Sequence, residues 1–210
     1  MPPFEPCLPP SFETSTCSSR PAGYGVARLG SFRRAKVRSL DEPLPATLYW
    51  DASFIVNFAF EAARYFRQCS ELLARLDEAA TISYVSTLAL DEAWFVLLQL
   101  KIEEDHHPAK FWDVYNVQPE VVEQYIDDLD RVTEQIGTHR KIELIGTEPL
   151  SAFESLSHMR AFHFLPRDAY HLATMRYHRI DSLVTMDADF LVVPGIELFT
   201  CNPSILEQNV

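Results

Sequence analysis

Carboxylates that follow predicted strands are the residues of this sequence whose type and position could support chemistry. Asp51 comes directly after the apolar run 48–50, and Asp187 comes directly after the run 182–186. In α/β proteins, ligands bind at the carboxyl ends of the strands, so acids at these positions can meet a ligand. Carboxylate oxygens are the ligands that hard divalent cations such as Mg²⁺ prefer. The pattern therefore indicates a divalent-metal site.

Two further acids lie on predicted helices. Glu92 interrupts an apolar helix over residues 88–101, and Asp168 opens a helix that follows Pro166. A carboxylate inside an apolar helix face needs a partner. Each acid also has an ordinary interpretation: Asp168 as a favourable charge at a helix N-terminus, and Glu92 as an exposed or salt-bridged acid. Taken singly, neither acid identifies a site.

The elements that must position these acids alternate between strands and helices. The β-prone runs lie near residues 48–50, 81–85, 142–145, 182–185 and 196–199, and helical patterns fill the intervals. This alternation predicts right-handed crossovers and a mainly parallel sheet covered by helices on both faces. We therefore expect one α/β domain over residues 47–203, followed by a C-terminal tail at 204–210.

Residues 1–46 have a different composition from the rest of the chain. They are rich in proline and serine and show no sustained apolar periodicity, so we expect a disordered N-terminal tail. A basic stretch over residues 28–38 could contact phosphates, but a solvated tail is the simpler interpretation. A start of translation further along the chain is another possibility.

Charge and composition restrict the classes of partner. The net charge is −12, and residues 49–210 hold twelve basic against twenty-six acidic residues. Such a surface repels polyanions, which argues against broad non-specific binding of nucleic acid. No run of about 18 uncharged apolar residues occurs, and the four cysteines form no CxxC pair. We therefore expect a cytoplasmic protein with no membrane partner.

Several other motifs do not support a site. The histidines form no HExxH pattern, and we expect His171 to be a packed helix residue rather than a general base. No glycine-rich phosphate loop is present, so we expect no nucleotide cofactor. A strand-end aspartate would also suit a phosphoryl-accepting receiver domain or a haloacid-dehalogenase-type phosphatase. Neither scheme explains Glu92 together with Asp168, and the phosphatase would need an aspartate where Ser53 stands.

The acidic positions become informative as an ordered set. The motifs are Asp51-Ala-Ser53, then Ser86 six residues before Glu92, then Pro166-Arg-Asp168-Ala-Tyr-His171-Leu-Ala173, and finally Thr185-Met-Asp187-Ala-Asp189-Phe190. This order resembles the PIN-domain family, especially the VapC-type ribonuclease toxins of type II toxin–antitoxin systems. The resemblance covers residues 48 to about 200, and all four acidic motif positions are occupied.

The resemblance implies a PIN-like three-layer α/β/α domain with a mainly parallel five-stranded sheet, and an Mg²⁺- or Mn²⁺-dependent endoribonuclease. It implies that Asp51 is the central metal ligand, that Asp168 and Asp187 bind directly or through water, and that Glu92 is a ligand or positions the attacking water. Asp189 is a further candidate ligand or a helix cap. Without metal, such clustered acids repel one another, so at least one pKa should rise.

Supporting residues and partners follow from the same resemblance. Ser53 and Thr185 are candidates for hydroxyl support, and Arg167 is a candidate phosphate contact or a surface ion pair. The implied partners are a structured RNA substrate, an antitoxin protein and a second copy of the chain in a homodimer. The alternative is a catalytically silent PIN scaffold that acts as a regulatory module binding RNA or protein.

Overall fold

A six-stranded, entirely parallel sheet forms the centre of the molecule. The structure, a computed structural model, describes residues 34–209. The strands are β1 Lys36–Ser39, β2 Thr47–Trp50, β3 Ile82–Ser86, β4 Ile142–Ile145, β5 Ser182–Val184 and β6 Glu197–Thr200. Their order across the sheet is β1-β6-β5-β2-β3-β4. The central strands β2 and β5 are neighbours, although about 130 residues separate them in the chain.

Helices fill most of the connections between strands. They are α1 Ala52–Ala59, α2 Phe66–Leu76, α3 Thr87–Asp105, α4 Phe111–Tyr115, α5 Ile126–Gly137, α6 Ser151–Phe162, α7 Pro166–Tyr177 and α8 Pro203–Leu206. Short 3₁₀ turns occupy Pro119–Tyr125, Asp189–Val192 and Glu207–Asn209. None of the helices between residues 34 and 209 has the length and apolar character needed to cross a membrane.

Successive strand residues point to opposite faces of the sheet, and each face is covered by helices. In β2, Leu48 and Trp50 pack with α1, α2 and α3, whereas Tyr49 packs with α7 on the other face. Both faces of a parallel sheet must be covered, which explains why Leu48, Tyr49 and Trp50 of β2 are completely buried. The predicted α/β class with three layers is confirmed.

The sheet has one strand more than the five we expected. Lys36–Ser39, which we placed in the N-terminal tail, is the edge strand β1 and pairs with β6. It buries Val37 and is flanked by two further buried residues, Ala35 and Leu40. Its alternation of basic and apolar residues suits an edge strand with one face on the core. The expected disorder of residues 1–33 lies outside the described residues.

The C-terminal segment also differs from the expected tail. Asn202 caps α8 by accepting a hydrogen bond from the backbone N–H of Ser204 at 3.1 Å. The short helix that follows buries Ile205 completely. Burial of one large apolar side chain contributes about 1.5–3 kcal/mol, which explains why this segment packs on the domain.

Candidate active site

The site lies where the central strands β2 and β5 end. The backbone N–H of Asp51 donates to the carbonyl oxygen of Val184 at 3.1 Å, so the ends of the two strands are held side by side. Asp51 then starts α1, because its carbonyl oxygen accepts the N–H groups of Phe54 and Ile55. The Asp51 residue is 5% exposed. A nearly buried carboxylate is therefore fixed at the carboxyl edge of the sheet.

Two hydroxyl groups orient the Asp51 carboxylate. Its Oδ2 accepts hydrogen bonds from Ser53 Oγ at 2.6 Å and from Thr185 Oγ1 at 2.7 Å. The backbone N–H groups of Met186 and Asp187 donate to these same two hydroxyls and hold them in place. The structure thus places Ser53 and Thr185 beside Asp51. With Oδ2 occupied, Oδ1 faces the remaining site residues.

Glu92 reaches the site from the second turn of α3. This helix begins where β3 ends, because the hydroxyl of Ser86 accepts the backbone N–H of Ala89 at 3.1 Å and caps it. The Glu92 side chain is 13% exposed, and its Oε1 lies 3.5 Å from Nε of Arg167. Arg167 itself is exposed, so the structure places it in the ion pair that was one of its two predicted roles.

His171 is a site residue that the sequence analysis did not assign. It is buried as expected, but its Nε2 lies 3.4 Å from Glu92 Oε2 and 3.9 Å from Asp51 Oδ1. Its Nδ1 lies 2.7 Å from the hydroxyl of Tyr49, which lies 2.6 Å from Ser86 Oγ. The three-residue spacing from Asp168 was the available signal, since it puts both side chains on one helix face.

Repulsion between the acids raises carboxyl pKa values, as predicted for the clustered acids. Burial and the charges of Asp189 and Asp51 raise the pKa of Asp168 to about 6. Asp187 is an exposed residue, yet partial desolvation of its carboxyl, followed by the charges of Asp51 and Asp189, raises its pKa to about 6. Burial alone would lower the pKa of His171, but attraction to Glu92 and Asp51 raises it above its ordinary value. All four predicted acids, and Asp189, therefore act on one another.

The donor set at the centre of the site fits a cation. Asp51, Glu92 and His171 each offer one ligand atom, and these atoms lie within 4.8 Å of one another. Among residues 34–209, neither Glu92 Oε1 nor His171 Nε2 has a hydrogen-bond partner, although both atoms are buried. Six other buried side-chain atoms between residues 34 and 209 also lack a hydrogen bond, so what distinguishes these two is their place beside Asp51. Asp168, Asp187 and Asp189 lie outside this compact group and surround it with negative charge.

A cavity of about 360 Å³ opens beside the acids of the site. Asp168 and Asp189 line it together with the aromatic rings of Phe162 and Phe164. Another cavity, of about 520 Å³, lies among α1, α2, α3 and α5, and none of the predicted site residues lines it. We associate the first cavity with the site because it shares two of the candidate acids.

A sequence model of the PIN domain matches residues 48–196. The chain belongs to the PIN-domain family. The expected family is therefore confirmed, and the match spans Asp51, Glu92, Asp168 and Asp187 of this PIN domain. No curated protein matches the chain.

Solved structures similar to this PIN domain include toxins of toxin–antitoxin systems. VapC20 from Mycobacterium tuberculosis, a toxin that cleaves the sarcin–ricin loop, is 13% identical, with 68% of this chain and 92% of that chain covered and a TM-score of 0.48. VapBC2 from Rickettsia felis, bound to promoter DNA, is 15% identical, with 73% and 98% covered and a TM-score of 0.45. A toxin–antitoxin complex from Klebsiella pneumoniae is 17% identical, with 71% and 94% covered and a TM-score of 0.40.

Proposed function

We propose that this PIN domain is a metal-dependent endoribonuclease that hydrolyses phosphodiester bonds of RNA. One observation carries the proposal: the nearly buried Asp51 carboxylate, held by two hydroxyls, lies with the Glu92 carboxylate and the His171 imidazole in one group compact enough to hold an ion. Carboxylates and an imidazole that converge in one buried cluster are the ligand types that bind divalent metal ions. Membership of the PIN family agrees with this chemistry.

Mg²⁺ or Mn²⁺ is the cofactor of the proposed reaction. Asp51 and Glu92 would hold the ion, with Asp168, Asp187 and Asp189 binding directly or through water. When bound, the ion supplies positive charge that activates water and neutralises negative charge at the scissile phosphate. Since carboxylates near pKa 6 carry protons in mildly acidic solution, Asp168 and Asp187 should bind cations better at pH 8 than at pH 5.5.

The side chains of the site would orient the Asp51 carboxylate and handle the proton of the attacking water. Ser53 and Thr185 keep one oxygen of Asp51 occupied, so the other stays directed into the site. Glu92 lies opposite Asp51 and can position the attacking water or accept its proton. Arg167 has an exposed side chain beside Glu92, from which it can reach a phosphate of the substrate.

The substrate and the partners belong to the same proposal. The strongly acidic composition of residues 49–210 favours selective recognition of a structured RNA over indiscriminate degradation. An antitoxin partner, a homodimer and a role as the toxin of a toxin–antitoxin pair rest on the resemblance of the motifs to VapC-type toxins. The proposed cytoplasmic location rests on composition and on the cysteine pattern. These finer assignments depend on the nuclease activity being present.

One observation favours the alternative of a catalytically silent scaffold. Arg167 and His171 already lie beside Glu92 and can neutralise its charge without a cation. A PIN fold with such an internal counter-charge could serve as a module that binds RNA or protein. The two functions differ in whether metal binding and RNA cleavage occur at all.

The deciding experiment compares the full chain with its Asp51→Asn variant on a pool of structured cellular RNAs. Each protein is incubated with Mg²⁺, with Mn²⁺ and with EDTA. Glu197→Gln is the matched control, because this acid lies at the start of β6, away from the carboxyl ends of the strands, and pairs with Lys36. Defined cleavage that requires metal and Asp51, and that survives in the control, supports the nuclease. Absence of both cleavage and metal binding would support the scaffold.

A further inference from the structure

We propose that His171 is a direct nitrogen ligand of the cation, so that the site is a mixed nitrogen–oxygen centre. The inference rests on the metal site of the proposed function and adds to it a ligand that lies outside the four predicted acids. Its starting point is geometric: among residues 34–209, one group of acidic, cysteine and histidine side chains is compact enough to hold an ion, and it contains His171.

The distances from His171 to the two carboxylates suit a shared ion. Two atoms that each lie about 2.1 Å from one metal ion can be at most about 4.2 Å apart. His171 Nε2 lies 3.4 Å from Glu92 Oε2 and 3.9 Å from Asp51 Oδ1, and both distances fall below this limit. Within the described part of the chain Nε2 lies against these two carboxylates, and its contact to Glu92 is an ion pair only if the ring is protonated.

The other nitrogen of the ring is held as in a metal-binding histidine. Such histidines use the second ring nitrogen to donate a hydrogen bond, which fixes both ring orientation and tautomer. Here Nδ1 lies 2.7 Å from the Tyr49 hydroxyl, which can accept its proton and donate in turn to Ser86 Oγ at 2.6 Å. In this arrangement Nε2 carries the lone pair, directed at the carboxylates.

Burial prevents His171 from turning away from the site. The residue is 1% exposed, and its ring makes an edge contact with Tyr49 at 5.7 Å between centroids. A protonated imidazolium that only pairs with Glu92 is the competing arrangement. The two differ in a measurable way, because an imidazolium has no lone pair to offer a metal.

A nitrogen ligand also predicts which cations bind best. Imidazole suits transition metals, whereas Mg²⁺ prefers an all-oxygen set. The centre should therefore favour Mn²⁺ over Mg²⁺, and removal of His171 should weaken Mn²⁺ binding more than Mg²⁺ binding. This selectivity is a property of the protein without RNA, so it can be measured independently of cleavage.

The test uses pulsed electron paramagnetic resonance on the full chain loaded with Mn²⁺. One sample has natural nitrogen, and a second carries ¹⁵N in its histidines only. We expect a ¹⁴N coupling that ¹⁵N coupling replaces in the labelled sample. His171→Gln should lose this coupling and bind Mn²⁺ at least about tenfold more weakly, since even outer partners of metal ligands are worth that much. His158→Gln, at another buried histidine, is the control and should change neither property.

Each outcome separates this inference from the proposed function. Bound Mn²⁺ without histidine coupling, together with RNA cleavage, would overturn the ligand role of His171 and leave the nuclease intact. Absence of Mn²⁺ binding and of cleavage would overturn both. Because the isotope comparison uses the unaltered sequence, it decides the question even where His171→Gln does not fold.

Discussion

Acidic residues in two regions of the domain have carboxyl pKa values that shift in opposite directions. At the outer edge, where β1 pairs with β6, Glu197 binds Lys36 at 2.7 Å and Glu42 binds Arg38 at 2.8 Å. The hydrogen bond from Lys36 lowers the pKa of Glu197, and the backbone N–H of Ser39 with Arg38 lowers that of Glu42. At the site beside the ends of β2 and β5, desolvation and neighbouring acids instead raise the pKa values of Asp168, on α7, and Asp187, after β5, to about 6.

The difference shows which acids contribute to the fold and which oppose it. Exposed ion pairs at the β1–β6 edge contribute little individually, and they satisfy the charge of each acid. The acids at the ends of β2 and β5 repel one another, which destabilises the fold unless a cation or proton arrives. Perturbed pKa values and unsatisfied polar atoms at one strand end are the features of a functional site.

Removal of β1 should produce the largest effect on stability. A chain starting at residue 47 loses the burial of Ala35, Val37 and Leu40 and exposes the edge of β6. We expect its free energy of unfolding to fall by at least about 3 kcal/mol relative to a chain starting at residue 34. Urea titration of both chains measures this loss. A difference below about 1 kcal/mol would mean that β1 contributes little to the stability of the domain.

Removal of one of the two hydroxyls that donate hydrogen bonds to Asp51 should weaken cation binding. Thr185→Val keeps the shape of a completely buried side chain but deletes the 2.7 Å hydrogen bond to Oδ2. We expect Mn²⁺ affinity to fall about tenfold, the effect typical of groups that orient a metal ligand. Calorimetric titration measures it. Thr200→Val, at the end of β6 and also buried, is the control, and an equal loss there would refute a specific role for Thr185.

Neutralising one acid of the site should stabilise the metal-free protein. Because the folded-state pKa of Asp187 is raised to about 6, its ionisation opposes folding as pH increases from 4 to 7. Asp187→Asn should therefore raise the free energy of unfolding by about 1 kcal/mol at pH 7, after allowance for solvent screening. The gain should be much smaller at pH 4, where the folded protein carries the proton and the unfolded protein, with an aspartate pKa of about 3.9, is about half protonated. Thermal unfolding in EDTA at both pH values tests this, and stabilisation confined to pH 4 would contradict it.

The reverse pH dependence is expected at the β1–β6 edge, with the smallest effect. The lowered pKa of Glu197 means that its ion pairs stabilise the fold above the ordinary glutamate pKa and are lost as pH falls through the folded value. Glu197→Gln should destabilise the protein by about 0.5 kcal/mol at pH 7. Added salt should reduce this effect, since the pairs are exposed. Destabilisation that grows below pH 4 would contradict the assignment.

Two of the four candidate acids have local signals in the sequence, whereas Glu92 and Asp168 became candidates only through the ordered set of motifs. Asp51 and Asp187 follow apolar runs, and the run itself predicts a strand that ends there. The edge strand β1 had no comparable local signal, because four residues with two basic side chains suit a tail equally well. Its place depends on pairing with Glu197–Thr200, about 160 residues away, and short-range periodicity carries no information about such a partner.

The sequence by itself determined the alternation of strands and helices and the acids at the strand ends, since side-chain period and strand termination are local properties. Only the tertiary structure decided that His171 meets Asp51 and Glu92 with its Nδ1 against Tyr49. The physical reason is that these contacts join β2, α3 and α7 across the carboxyl edge of the sheet. A helical position three residues after Asp168 suits packing and metal binding equally. Its surroundings depend on which residues β2 and α3 bring next to it.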